Sequence, residues 1–467
     1  MINRYLVLKI LLFYGPSLLI AQKHGHNWLF GGGQHVSGRC NRMDFNTFPP
    51  VTSVFQTTQV PIGINASRYL KVQAAVSDSA GKLLFYTNQG GIWRNGFRIP
   101  GSDTLRLGDI TPEDQISVRK SEAFVLPVPG KSHRYALIHR LGIRSELYIS
   151  IIEPLANNGR GQLVSGNLKL LDQIFMGDVR ACKHGNGRDW WLIVPQIFPT
   201  GGFWVFLIEP NGIRGPAYYS MGDSQTECVS IAIDYGRSCA LSADGRWLAR
   251  RYGCDSIGLY GFDRCLGTVV LHRTIPFQIG QNYHDWRYVF SPDSRFLHVI
   301  RWNHIFSIDL EASRLPYVPS EMNKTGQSLD ELAECDTSSF GYPLLAPDGK
   351  IYISQATFGC PREFYYVMHR PDLFGTAMDL EYRGLKWSQP GYISTELYFP
   401  DYSLGKWTDA VCDTLPSHVA DPLFRHKEYV SFGHPLSSSA TFPLLMHWPV
   451  EGEAVPSSPV NISKNEP

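Results

Sequence analysis

Cys239-Ala240-Leu241-Ser242-Ala243-Asp244-Gly245-Arg246-Trp247-Leu248-Ala249 decides the reading of this chain. A short apolar strand enters a tight Asp-Gly turn and leaves at once along a second strand, the pattern of a β-hairpin. Working outward, the same grammar occurs five more times. Gln73-Ala74-Ala75-Val76-Ser77 turns at Ser79-Ala80-Gly81 into Leu83-Leu84-Phe85-Tyr86. Residues 123–126 turn at Pro129-Gly130 into 135–138, and 181–184 turn at Asn186-Gly187 into 190–194. Residues 288–291 turn at Asp293-Ser294 into 296–300, and 344–346 turn at Asp348-Gly349 into 351–354. The last turn residues fall at 81, 130, 187, 245, 294 and 349, so the unit repeats every 49 to 58 residues. A regular recurrence of this kind means an array of like units.

Third strands are legible at 146–152, 203–208, 257–262, 305–310 and 364–368. Three or four short strands per unit match a propeller blade, so the fold class is all-β and the architecture a β-propeller. The second strands are nearly continuous apolar runs, as expected of strands covered on both faces. A series of β-sandwiches would give no reason for one hairpin to recur at a fixed period. One period before Gly81 lies His26-Asn27-Trp28-Leu29-Phe30-Gly31, and one period after Gly349 lies Leu397-Tyr398-Phe399-Pro400-Asp401-Tyr402. These segments predict a further blade shared between the two ends of the chain. Seven blades are preferred to six, with the ring closed by N- and C-terminal strands, which removes exposed sheet edges. The expected domains are a signal peptide (1–21), the propeller (22–415) and a C-terminal extension with a poorly ordered tail (416–467).

The chain has 467 residues, 43% of them apolar, with 43 Gly, 31 Pro, 25 Phe, 23 Tyr and 11 Trp. Abundant turn formers and aromatics with few charges suit an all-β protein. Lys and Arg number 43 against 42 Asp and Glu. That balance excludes a global field for nucleic acid or an anionic membrane, so charge-driven contacts must come from local clusters. Arg4 and Lys9 precede an apolar run from Ile10 to Ala21, the pattern of an export signal cleaved after Ala21. No later stretch is long enough to span a bilayer, so the expected location is secreted, extracellular or at the cell surface, with the periplasm as the alternative. The nine cysteines are 40, 182, 228, 239, 254, 265, 335, 360 and 412. None forms a Cys-x-x-Cys pair. Cys254 and Cys265 bracket a strand and lie beyond disulfide reach. Cys40 and Cys412 both fall where the ring must close, which makes them a candidate pair; buried thiols are the plainer reading.

Several segments together resemble one family. Asn27-Trp28-Leu29-Phe30-Gly31 is similar to its opening, and Ser77-Asp78-Ser79-Ala80-Gly81-Lys82-Leu83-Leu84-Phe85-Tyr86-Thr87 to its first full hairpin. Lys183-His184-Gly185-Asn186-Gly187-Arg188-Asp189-Trp190-Trp191 is similar to its most distinctive segment, and Phe399-Pro400-Asp401-Tyr402 follows in order. The family is the set of secreted, propeller-like (WD40-like repeat) proteins of gliding bacteria, often exported by the type IX system. The resemblance covers about residues 26–415 and implies location and shape more than activity. Many relatives carry immunoglobulin-like repeats and a sorting domain after the propeller; here 55 residues follow Cys412.

No motif of an enzyme stands out: there is no Gly-x-Ser-x-Gly elbow, no His-Glu-x-x-His and no P-loop. His24 and His26 could hold a metal, but no further ligand is identifiable. The recurring turn residues Asp244, Asp293 and Asp348 read as bonding to their own loops rather than to calcium. Arg188-Asp189-Trp190-Trp191 reads as the start of a covered strand rather than as a sugar-stacking pair. The preferred site comes from ring geometry. Loops leaving the second strands face the side opposite the hairpin turns, and they carry Arg140, Arg251 with Tyr252, and Arg301 with Trp302 and His304. Around a channel mouth, these arginines would bind carboxylate or sulfate through paired hydrogen bonds, with Tyr252 and Trp302 as stacking faces. The reading is a monomeric, non-catalytic binding or scaffold module for an acidic glycan or a protein partner, with no cofactor and no nucleic acid. The alternative is a polysaccharide lyase or hydrolase using the central funnel, which a converging carboxylate pair or Tyr/His/Arg cluster would mark. A structural part in a surface assembly is a third reading.

Overall fold

The six hairpins form where the sequence places them, each for the same local reason. The last turn residue has positive φ in all six: Gly81 (87°), Gly130 (68°), Gly187 (74°), Gly245 (74°), Ser294 (63°) and Gly349 (76°). Glycine takes that left-handed conformation without a Cβ clash. Ser294, the exception, accepts the Asp244 N–H of the neighbouring turn on its hydroxyl at 3.0 Å. The turn aspartates do bond within their own loops. Asp244, Asp293 and Asp348 accept the N–H of Arg246 (2.9 Å), Arg295 (3.0 Å) and Lys350 (3.2 Å).

The computed structural model describes residues 23–30, 39–57, 72–88, 90–107, 122–140, 144–198, 201–221, 238–253, 256–276, 286–301, 304–311, 320–323, 339–356, 362–391, 398–406, 412 and 446–447. They form a β-propeller of seven antiparallel blades. Blade 1 holds β1 (Asn27–Phe30), β2 (Arg39–Asp44) and β3 (Val51–Gln56). Blade 2 holds β4 (Val72–Ser77), β5 (Leu83–Asn88), β6 (Gly91–Arg94) and β7 (Phe97–Arg98). Blade 3 holds β8 (Glu122–Pro127), β9 (Tyr135–Arg140), β10 (Arg144–Glu153) and β11 (Gln162–Met176). Blade 4 holds β12 (Arg180–Lys183), β13 (Trp190–Phe198), β14 (Gly202–Glu209) and β15 (Gly212–Ser220). Blade 5 holds β16 (Cys239–Leu241), β17 (Trp247–Tyr252), β18 (Ser256–Phe262) and β19 (Val269–Pro276). Blade 6 holds β20 (Arg287–Phe290), β21 (Phe296–Arg301), β22 (His304–Asp309) and β23 (Ser320–Asn323). Blade 7 holds β24 (Ser339–Leu345), β25 (Ile351–Ala356), β26 (Arg362–Met368) and β27 (Leu380–Gly391). The first strand of each blade is innermost; β1, β4 and β8 neighbour one another, as do β12, β16, β20 and β24. The end of β11 pairs with β13, so blades 3 and 4 share one sheet.

One apolar cluster fills each of the seven seams. This explains the unbroken apolar second strands. On β13, Trp190, Leu192 and Val194 pack into the seam with blade 3, while Trp191 and Ile193 pack into the seam with blade 5. Successive side chains of a strand point to opposite faces, and here both faces are core. Trp190 and Trp191 are fully buried, as the strand-start reading of that run requires. Among the described residues no helix is long and apolar enough to cross a membrane.

Ring closure differs from the shared blade expected from the sequence. Among the described residues blade 1 is built from β1, β2 and β3, and it meets blade 7 through Trp28, Phe30, Met43 and Phe45 packed on Tyr352, Tyr365, Val367 and Trp387; Leu397 lies outside the described residues. The N- and C-terminal blades thus close the ring face to face. Residues 398–406 contain no strand; they form a strap across the hairpin-turn end of the channel. The reason is visible in β2 and β3, whose sequences RCNRMD and VTSVFQ are too polar to read as strands but supply the pairing that β1 needs. The cysteine pairing differs as well. Cys412 is joined to Cys265 (Cα–Cα 5.2 Å), while Cys40 is an unpaired, buried thiol between blades 1 and 2. Further along the chain, β28 (Met446–His447) adds to the outer edge of blade 4 beside β15.

Candidate functional site

The strap converts the channel into a cavity. Tyr398 bonds both backbone groups of Ala181, accepting from its N–H at 2.9 Å and donating to its carbonyl at 3.1 Å. Tyr402 donates to the Val125 carbonyl at 2.6 Å, and Phe399 stacks nearly parallel on Trp28. Arg264 reaches over from blade 5 to donate to the Gly405 carbonyl at 2.7 Å. Inner strands wall the remaining space, a cavity of about 480 Å³.

At the far end, where inner strands begin and second strands end, the cavity is ringed by charge. Register dictates this: Glu122 opens β8 directly opposite Arg140, which closes β9. The Arg140 guanidinium holds the Glu122 carboxylate through Nη2 (2.8 Å) and Nε (3.0 Å), and donates to the Met176 carbonyl (3.2 Å). Glu122 also faces Arg180 (3.6 Å), which pairs in turn with Asp178 (3.1 Å) and lies over the Tyr398 ring. Burial pushes the Glu122 carboxyl up, against the two guanidinium groups that hold it charged. Arg287 donates to the Phe340 carbonyl (2.9 Å) and lies over Tyr342, its carbon 4.3 Å from the ring centre. Next to Arg287 on β20, Tyr288 turns into the seam between blades 5 and 6, within electrostatic reach of Arg250 and Arg251. Its hydroxyl is fully buried and has no hydrogen-bond partner among the described residues, and burial drives its pKa upward. The Trp28 indole N–H, also on the wall, is in the same condition.

Of the six residues the sequence singled out, the structure brings Arg140 onto the cavity wall. Arg251 lies just behind it, buried, with Nε on the Gly253 carbonyl (3.0 Å) and its guanidinium over Trp286, a wall residue. Tyr252 packs between blades 4 and 5, and half-buried His304 stacks on Phe306; neither lines the cavity. Arg301 pairs with His304 through its backbone, and Trp302 lies outside the described residues. Glu122, Asp178, Arg180 and Arg287 carry no sequence signal of their own, because they sit at or just before the starts of inner strands rather than in the loops after second strands. The antiparallel register that brings those loops to the mouth brings the starts of the inner strands there too, closer to the axis. Among wall residues, Cys182 is a thiol pushed up to about 12 by burial, inert at neutral pH. Among the described residues no cluster of three or more His, Cys, Asp or Glu could hold a metal.

No family model and no curated protein matches the chain. Among solved structures it is similar to a putative 6-phosphogluconolactonase from Bacteroides uniformis, at 11% identity over 78% of this chain and 98% of that one (TM-score 0.42). It is likewise similar to the periplasmic gluconolactonase PpgL of Pseudomonas aeruginosa, at 11% identity over 79% and 99% (TM-score 0.43). A third, a protein from Lactobacillus plantarum, matches at 12% identity over 79% and 96% (TM-score 0.42). At this level of likeness no activity carries over.

Proposed function

We propose that the protein is a secreted or cell-surface binding module whose central cavity takes a carboxylate- or sulfate-bearing ligand, an acidic glycan in the first instance. The observation that carries this reading is the convergence of three guanidinium groups, those of Arg140, Arg180 and Arg287, on the wall of one cavity. Guanidinium groups already fixed by carbonyls and carboxylates supply directional donors with little ordering entropy. The two carboxylates at this rim, Glu122 and Asp178, are both engaged by arginines, which weighs against a general acid/base pair and hence against a lyase or hydrolase. The resemblance to exported propellers of gliding bacteria supports the location.

A screen of acidic and neutral glycans against the mature chain tests the reading. Binding confined to acidic glycans, and at least tenfold weaker in Arg180→Met and Arg287→Met, is expected. Equal binding by all three proteins would overturn the site, and no glycan binding would turn the search to protein partners.

A further inference from the structure

The hairpin-turn face carries a second concavity, a groove of about 880 Å³ between blades 2, 3 and 4. Its charged lining is Lys82, Arg94, Lys131, Lys183 and Arg188 against one acid, Asp78. Asp78 is occupied by its own turn, accepting the N–H groups of Ala80 and Lys82. Arg188 is held by both oxygens of Asp189, and Arg94 by the Gly159 and Leu84 carbonyls. Lys183 differs from these. It is 5% exposed, its ammonium lies 4.0 Å from the centre of the Trp190 ring, and among the described residues no hydrogen bond or ion pair reaches that ammonium. Burying a cation with no acceptor in contact is costly, and the usual remedy is an anion.

A hydrogen-bond acceptor stands near that ammonium. His24 is held by Nδ1 at 2.6 Å from the Ser77 carbonyl, and a carbonyl can only accept, so Nδ1 carries the proton and Nε2 is left as an acceptor. Lys183 is within electrostatic reach of His24, and both line the groove with Tyr135. We infer that this groove is a ligand site for a sugar acid, whose carboxylate pairs with Lys183 and whose hydroxyl donates to His24 Nε2. The rest of such a chain lies along the rim towards Lys82 and Lys131, both exposed. The site is separate from the channel mouth and does not rest on the reading given for it.

The groups facing Lys183 are His24 from the N-terminal turn, Arg188 and Asp189 from its own hairpin, Tyr135 from blade 3, and Asp401 and Tyr402 from the strap. Burial pulls the Lys183 ammonium down to about 8, against the attraction of Asp189 and Asp401, whereas an ordinary lysine titrates near about 10.4. Titration calorimetry with trigalacturonate, at about pH 7 and about pH 9.5, therefore separates Lys183 from surface lysines. Binding near neutral pH is expected, at least tenfold weaker at the higher pH and in Lys183→Met, with no binding of neutral maltotriose. Equal affinity in Lys183→Met, equal binding of maltotriose, or no binding at millimolar trigalacturonate would overturn the proposal. Loss of binding in Arg287→Met with Lys183→Met unaffected would place the ligand in the channel and overturn it too. Should Lys183→Met not fold, the pH comparison and a Lys82→Ala/Lys131→Ala double variant decide; unchanged affinity in both counts against the groove.

Discussion

His139 and His298 sit inside second strands of different blades and solve the same problem in mirror fashion. His139 places Nδ1 on the Arg106 carbonyl (3.1 Å) and Nε2 on the Ser150 hydroxyl (2.9 Å). His298 places Nε2 on the Pro371 carbonyl (2.8 Å) and Nδ1 on the Ser307 hydroxyl (2.9 Å). In each ring the nitrogen on the carbonyl donates and the other faces a serine hydroxyl, and burial, which disfavours the charged ring, takes both pKa values down to about 4. An unfolded histidine titrates near about 6.5, so between these values the unfolded chain binds more protons. Their stabilising contribution is whole above pH 6.5 and disappears as pH falls towards 4, at a cost of about 3 kcal/mol each. Urea midpoints measured from neutral pH downward should fall across that window, and less steeply in His298→Gln; a flat profile would refute the assignment. Tyr288→Phe belongs to the same scale. Removing a buried hydroxyl that nothing satisfies should leave stability equal or raise it by about 1 kcal/mol in the absence of ligand, read from the melting curve.

The hairpins were legible as elements because their two signals coincide: an apolar run on either side, and a residue between them that tolerates positive φ. A Cβ at Gly245 would lie 2.4 Å from the Cys182 sulfur, whereas at Gly349 the nearest atom is 4.0 Å away. Both positions hold a left-handed backbone, which costs a side chain about 1–2 kcal/mol. Gly349→Ala should lose about that much by denaturant titration, and Gly245→Ala distinctly more; equal losses would show that the neighbouring sulfur gives way freely. β2 and β3 escaped notice for the converse reason. β2 holds two apolar residues in six, and β3 is an outer strand with Val51 and Val54 exposed, so neither shows the unbroken apolar run that marks the second strands. Without them the sequence left blade 1 short, and Leu397-Tyr398-Phe399 was the nearest apolar run to fill it.

Across the whole molecule, the sequence determined the unit and its period but not what occupies the axis. A propeller of this kind is held by seven similar seams, and no local pattern announces that a C-terminal strap will cross the channel and be fastened to blade 5. Tyr398, Phe399 and Tyr402 read as strand residues because their partners, Ala181, Trp28 and Val125, lie between about 220 and 370 positions away. The mouth was half legible for a similar reason: arginines after second strands were conspicuous, whereas Glu122, Arg180 and Arg287 gain meaning only once register places them beside the axis. The Cys265–Cys412 bond closes a sequence separation of 147, and a loop of that size removes much unfolded-state freedom. Cys412→Ser should therefore lower stability by about 2–5 kcal/mol, and a reductant should lower the melting temperature of the parent protein but not of the variant. The same bond fixes the path of mechanical load. A pull on the chain beyond Cys412 is delivered through the Cys265 sulfur into blade 5, so the strap and the blade 7–blade 1 seam are spared the tension, and tethering the protein by its C-terminal side would not pry the ring open at the joint where its ends meet.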